Sequence, residues 1–180
     1  MRNTGRTVDA HRYEHVNHIF GPVYNAYSEI LILGSLPSVK SREQQFYYGH
    51  PQNRFWRVLV SLYEGPKQTP ETIEEKREFL LRNHVALWDV IESCDIIGSS
   101  DSSIKNVRAN DLSVILERAP IRCIALNGGK AWELFQKYCA ADCEKYDIPK
   151  IVRLPSTSPA NAAWSVERLT GEWAKLLLTG

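Results

Sequence analysis

At 180 residues, with 43% apolar and 24% charged side chains, the chain has the length and composition of one globular domain able to bury a core. Its 22 Lys and Arg against 21 Asp and Glu leave a net charge of +1, which neither announces nor excludes a nucleic-acid partner, since a binding face needs only a local basic patch. No apolar run approaches the ~20 residues that a helix needs to cross a bilayer, so no membrane partner is expected.

Residues 1–12 are polar and expected to fray, with no apolar signal segment. Phe20 follows in "IFGPV", and then comes the first predicted strand, "EILILGS" at residues 29–35. Its successor loop, residues 36–52, is far longer than the ~4–6 residues of an ordinary connection, and longer loops are often functional. It carries Ser38, Lys40, Ser41, Arg42, Gln44, Gln45, three aromatics and His50. Packing of Phe46 and Tyr47 on the core accounts for part of it, but not for its density of polar donors. A helix is predicted over residues 53–64, with Phe55, Trp56, Leu59, Leu62 and Tyr63 at helical spacing. Asn53 at its start has two readings: a capping residue, or a fixed amide where free N–H groups favour developing negative charge. The pattern by itself favours the cap. His50 is either a half-buried turn residue or a contact to a phosphate or base.

Thr69-Pro70-Glu71 is expected to open a helix over residues 71–83. The second strand, "HVALWDVI" at residues 84–91, holds Asp89 inside an apolar run, so this carboxylate must be exposed at the strand end or hydrogen-bonded. A helix-capping role and a role in base reading or a polar network weigh about equally. Residues 111–118 form a short predicted helix, and "IRCIALNG" at residues 121–128 is the third strand. Its exit, Asn127-Gly128-Gly129-Lys130, resembles a phosphate cradle without the spacing of a P-loop. A tight turn is the simpler reading, with Asn127 and Lys130 as backbone-phosphate contacts. After a helix over residues 130–139 comes the fourth strand, residues 150–156, closing in "LPSTSPAN". Ser156, Thr157 and Ser158 suit either a solvated turn or a grip on a phosphodiester. A last helix is expected over residues 165–178.

Strands alternating with helices predict an α/β protein: parallel βαβ units, a central sheet, helices on both faces, and a ligand site beyond the carboxyl ends of the strands. Cys94, Cys123, Cys139 and Cys143 read as free structural thiols of a reducing, cytoplasmic environment. Cys139 and Cys143 lie four apart on a predicted helix, but nothing completes a metal-ligand pattern, so no metal and no cofactor is expected.

"LILGSLPS", "QQFYYGHPQNRFW", "ALWDVIESCD", "NGGKAWELF" and "LPSTSPAN", in that order, resemble the uracil-DNA glycosylase superfamily, within it the hypoxanthine-DNA (deoxyinosine) glycosylase branch. The resemblance runs from about Phe20 to the last helix. It implies a single three-layer α/β/α domain around a four-stranded parallel sheet, and hydrolysis of the N-glycosidic bond of a deaminated base in DNA. In mismatch-specific relatives an Asn or Asp occupies the first loop, where this chain has Ser35 and Leu36. In the hypoxanthine branch the catalytic Asn maps to Asn53. The usual His of the second motif is replaced by Leu154, and Asp89 aligns with the strand-end Asn that reads uracil elsewhere in the superfamily.

The expected site therefore comprises Asn53 to hold water, Phe20 and Tyr48 to stack on the base, Asp89 and His50 as base contacts, and Ser38, Lys40, Asn127, Lys130, Ser156, Thr157 and Ser158 toward phosphates. Lys40, Arg42 and Arg54 are expected to supply the local positive face. The chain is expected to act as a monomer without strand cleavage. A nucleoside or nucleotide hydrolase, a uracil-directed glycosylase and a lesion-binding module without chemistry are the rival readings.

Overall fold

The computed structural model describes residues 12–179, so the segment expected to fray lies almost wholly outside the described residues. The four predicted strands form as β2 (Ile30–Gly34), β3 (Val85–Asp89), β6 (Cys123–Asn127) and β7 (Lys150–Leu154). They pair only in parallel, in the spatial order β3-β2-β6-β7. β2 and β3 are buried at every position, as strands covered on both faces must be, and this is why they read as continuous apolar runs. Helices α2 (Phe55–Glu64), α3 (Ile73–Arg82), α5 (Gly129–Tyr138) and α7 (Val166–Leu178) pack around this sheet. Phe55, Leu59, Phe79, Phe135 and Trp173 supply fully buried side chains between the layers.

Three expectations change. The helix expected from residue 71 begins instead at Ile73, capped by Thr72 rather than Thr69. The Thr72 hydroxyl accepts the Glu75 N–H at 3.1 Å and the Glu75 carboxylate accepts the Thr72 N–H at 3.1 Å, a reciprocal capping box that outweighs the Pro70 signal. The helix expected over residues 111–118 shrinks to α4 (Ser113–Leu116). Cys139 and Cys143 do not share a helix: Cys139 sits where α5 ends and α6 (Ala140–Cys143) begins. All four thiols are free and buried, and burial raises Cys139 to about 12 and Cys143 to about 11, as inert packing groups. Among the described residues, no three His, Cys, Asp or Glu side chains gather as metal ligands, and no helix is long and apolar enough to cross a membrane.

A second sheet goes unannounced by hydrophobic pattern. β1 (Glu14–Asn17), β4 (Ile91–Ile96) and β5 (Lys105–Ala109) pair antiparallel in the order β1-β4-β5. β1 and β5 are largely exposed, so burial leaves no periodic mark on their sequences. β4 follows β3 after the single residue Val90, so one extended run serves both sheets. The long first loop carries its own helix, α1 (Val39–Gln44), with Ser38 as its cap.

The far ends of α2 and α3 are tied by Glu64, which accepts from Arg82 Nε at 2.6 Å and Nη2 at 3.1 Å and from Asn83 Nδ2 at 3.1 Å. The Arg82 hydrogen bond is the largest of several causes that lower the Glu64 carboxyl to about 2. A depressed folded-state value contributes stability above the unfolded carboxyl's ~4.3 and loses it as pH falls through about 2. The melting-temperature difference between wild type and Glu64→Gln is therefore expected to be constant above pH ~5 and to vanish as the pH approaches about 2. The pair is solvent-screened, so the difference is small.

Candidate active site

In chain order the parallel strands run outward from β2 to β3 on one side and to β6 and β7 on the other, so the direction of winding reverses between β2 and β6. Folds of this kind bind their ligands beyond the carboxyl ends of the strands at such a reversal. The residues ending the strands there are Gly34, Asp89, Asn127 and Leu154.

Asp89 is 4% exposed. A carboxylate so buried needs a donor, and His18 Nε2–H supplies it, at 2.8 Å from Oδ2. The two side chains are 3% and 5% exposed. Asp89 Oδ1 makes no hydrogen bond among the described residues. It lies 2.5 Å from where a Cβ on Gly34 would stand, and the Tyr48 hydroxyl lies 2.9 Å from the same point. Gly34 thus leaves open the space over which a carboxylate oxygen and a phenol converge.

Tyr48 takes a left-handed backbone conformation, φ 53°, uncommon for a residue with a Cβ. Its surroundings enforce it: the ring stacks on Phe55 with centroids 3.9 Å apart, and the hydroxyl accepts from Asn127 Nδ2 at 3.1 Å. Burial first, and the Asp89 charge second, push the Tyr47 and Tyr48 phenols far above their ordinary range, so both stay protonated donors. Asn127 also donates to Thr157 Oγ1 at 3.0 Å and accepts from the Thr157 N–H at 3.1 Å, clamping the loop after β7 to the end of β6. Phe20, half-buried, sets its ring edge-on to His18 and to Tyr47, each at 4.7 Å, while Tyr47 donates to the Gly21 carbonyl at 2.8 Å.

Asn53 precedes the cap position of α2 by one residue, and its Oδ1 accepts the Phe55 N–H at 3.0 Å. Its carbonyl closes the helix start and keeps a second lone pair, while Nδ2 makes no hydrogen bond among the described residues. His50 Nδ1 accepts the Gln52 N–H at 3.1 Å, within the same turn.

The residues expected toward phosphates divide. Ser38 and Ser156 take part in local turns, Ser38 accepting from the Ser41 N–H and Ser156 from the Ser158 N–H. Lys40 and Lys130 each pair with a glutamate three residues on, both at 3.4 Å. The Ser158 hydroxyl accepts from the Ala160 N–H. Thr157 departs from expectation: it is 0% exposed, and its hydroxyl is held by Asn127 rather than presented to a ligand. Arg54 departs further. Expected as part of a positive surface, it is buried, and its guanidinium donates to the carbonyls of Thr157, Ser158, Asn161 and Trp164. It is the internal brace of the 156–164 loop.

His18 escaped the sequence reading. It stands in "EHVNHIF", outside any predicted element and 71 residues from its partner. The only signal was indirect: a carboxylate in an apolar strand must have a donor somewhere.

Filling the space above Gly34 is expected to disable the site. In Gly34→Ala the new methyl overlaps Asp89 Oδ1 and Tyr48 Oη, neither of which can move freely. Misplacement by ~1 Å is worth about 10²-fold in rate, against ~1–3 kcal/mol in stability. Single-turnover base release together with thermal melting checks this expectation.

A parallel sheet with a buried polar constellation at its winding reversal belongs to the α/β class, whose ligands bind at the strand ends. The sequence matches the family model of the uracil DNA glycosylase superfamily over residues 22–177, and the chain belongs to that superfamily. Its members hydrolyse the N-glycosyl bond of a base in DNA, which makes this chain a DNA glycosylase. It is 40% identical over 155 residues to a hypoxanthine DNA glycosylase of Methanosarcina acetivorans, covering 86% of this chain and 93% of that one. It is 39% identical over 115 residues to a hypoxanthine DNA glycosylase of Methanosarcina barkeri, covering 63% and 72%. A solution NMR structure of a candidate uracil DNA glycosylase from Methanosarcina acetivorans superposes with a TM-score of 0.71 at 37% identity, covering 86% of this chain and 92% of that one.

Proposed function

We propose that this glycosylase releases hypoxanthine from DNA, taking the nucleotide out of the stack to do so. The observation that carries the reading is Asp89, a buried residue whose carboxylate keeps one oxygen, Oδ1, without a protein partner among the described residues, beside the Tyr48 hydroxyl over Gly34. Deamination turns the ring N1 of adenine from an acceptor into an N–H donor. A carboxylate rewards the product and repels the parent. The relatives called hypoxanthine DNA glycosylases support the choice of purine.

A base inside a duplex is out of reach, so the nucleotide swings into the crevice, and Phe20 gives it an aromatic partner. As the bond breaks, the sugar becomes positive and the base negative. Asn53 is neutral and a poor general base, so its part is to orient water through the Oδ1 lone pair left free by Phe55 and to donate from Nδ2. Water is the only nucleophile this scheme uses, which leaves the DNA strand uncut. Four unpaired buried thiols support a reducing compartment such as the cytoplasm.

The test is a panel of oligonucleotides carrying hypoxanthine, xanthine or uracil, with free deoxyinosine alongside. Hypoxanthine release from the oligonucleotide, with free deoxyinosine untouched, is the expected result. Hydrolysis of the free nucleoside at a similar rate would assign a nucleoside hydrolase instead. Asp89→Asn is expected to change the hypoxanthine-to-uracil rate ratio by about tenfold, the worth of one hydrogen bond to a charged group. An unchanged ratio removes Asp89 from base recognition.

A further inference from the structure

We propose that His18 is a positioning residue for base recognition: by engaging Asp89 Oδ2 it leaves Oδ1 as a one-sided acceptor for the ring N–H that deamination creates. This rests on the functional reading above and adds to it a residue from outside the four parallel strands.

A lone carboxyl can rotate and share its charge between both oxygens. The His18–Asp89 contact prevents that. The 2.8 Å hydrogen bond to Oδ2 supplies the donor that a buried carboxylate requires, and it fixes the carboxyl plane by pinning one oxygen. Oδ1 then stands over Gly34 with no protein donor among the described residues. His18 is itself held from two sides. Its own N–H donates to the Glu92 carbonyl at 2.7 Å, continuing the β1–β4 ladder. Its ring meets the edge contact of Phe20 at 4.7 Å and the tilted ring of Tyr47 at 5.9 Å. A hydrogen bond whose donor is anchored in this way sets direction as well as charge.

The arrangement makes an unusual demand on the Asp89→Asn variant. With its proton on Nε2, as the carboxylate of the wild type requires, His18 donates and holds the amide rotamer whose carbonyl faces His18 and whose NH₂ faces away from it. That places a donor against the ring N–H of hypoxanthine. His18 thereby enforces the wrong orientation in this variant, and removing His18 as well frees the amide to turn over.

The experiment measures single-turnover hypoxanthine release and melting temperature for wild type, His18→Phe, His18→Gln, Asp89→Asn and the double variant His18→Phe/Asp89→Asn. His18→Phe keeps the ring packed against Phe20 and is expected to lose about 10- to 100-fold, the range for a hydrogen bond to a charged group. His18→Gln returns a donor near the Nε2 position and is expected to recover to within about threefold of wild type. The double variant is expected to be no slower than Asp89→Asn alone, the non-additivity of two groups acting through one contact. Three results overturn the inference: a His18→Phe rate equal to wild type, no recovery with Gln in a protein that melts normally, or a double variant slower than Asp89→Asn by the full His18→Phe factor. Failure of the functional reading shows separately, as a wild-type protein that releases no deaminated base, and the inference falls with it.

Discussion

Replacing Asn53 by alanine is expected to cut single-turnover base release by about 10²–10³-fold, the usual worth of one preorganised polar group aimed at developing charge. The same change removes the acceptor of the Phe55 N–H at 3.0 Å, so it also loosens the first turn of α2. Loss of such a cap costs about 0.5–2 kcal/mol. For a chain of this length, that is a fall of a few degrees in melting temperature. The two effects separate cleanly. Asn53→Asp keeps the oxygen that caps Phe55 while removing the NH₂, so it should melt close to wild type. An alanine variant that melts a few degrees lower and still releases base at the wild-type rate would reduce Asn53 to a cap.

Arg54 is expected to give the largest stability loss in the chain. Its guanidinium serves the carbonyls of Thr157, Ser158, Asn161 and Trp164, at 9% exposure. Arg54→Ala strands these acceptors, and unpaired buried acceptors cost about 1–3 kcal/mol each where water cannot reach them. Partial solvation of the loop limits the total to about 3–5 kcal/mol, or roughly 10 °C in melting temperature. Arg54→Lys should recover little, because a point ammonium cannot reproduce a planar fork spread over four carbonyls. Since the same loop carries Thr157, which Asn127 grips beneath Tyr48, base release should fall even at temperatures where the variant stays folded. Calorimetry of both variants beside wild type, with excision assayed at low temperature, checks both parts. A melting point unchanged in Arg54→Ala would place the brace elsewhere.

The parallel sheet was legible because its strands β2 and β3 are buried on both faces. Ile30–Gly34 and Val85–Asp89 read as unbroken apolar runs closed by turn residues. The site's location followed from that sheet, since strand ends are where such folds bind ligands. What stayed hidden is what rests on long-range polar partners. β1 and β5 are exposed ribbons without a hydrophobic period. His18 joins Asp89 across 71 positions, and Arg54 reaches residues more than 100 positions away. Arg54, next to a candidate catalytic Asn, reads naturally as a surface cation. Only the fold reveals that it points inward at a loop with too many carbonyls and too few donors. Thr157 misled for the same reason: a hydroxyl in a Ser/Thr/Pro loop reads as solvent-facing until Asn127 is seen beneath it.

The antiparallel ribbon has a bearing on where the chain can tolerate altered length. Asn17 lies opposite Ser93, and His18 takes the next rung through Glu92, so the alignment of β1 along β4 decides which side chain confronts Asp89. Sliding that alignment by a single residue would offer Ile19 in place of the imidazole and reverse every face of the ribbon. Residues inserted downstream, around the exposed Ala26-Tyr27 turn, leave the alignment of the ladder unchanged. The small sheet acts as a ruler, measuring out the one position from which a ring nitrogen can meet the acid.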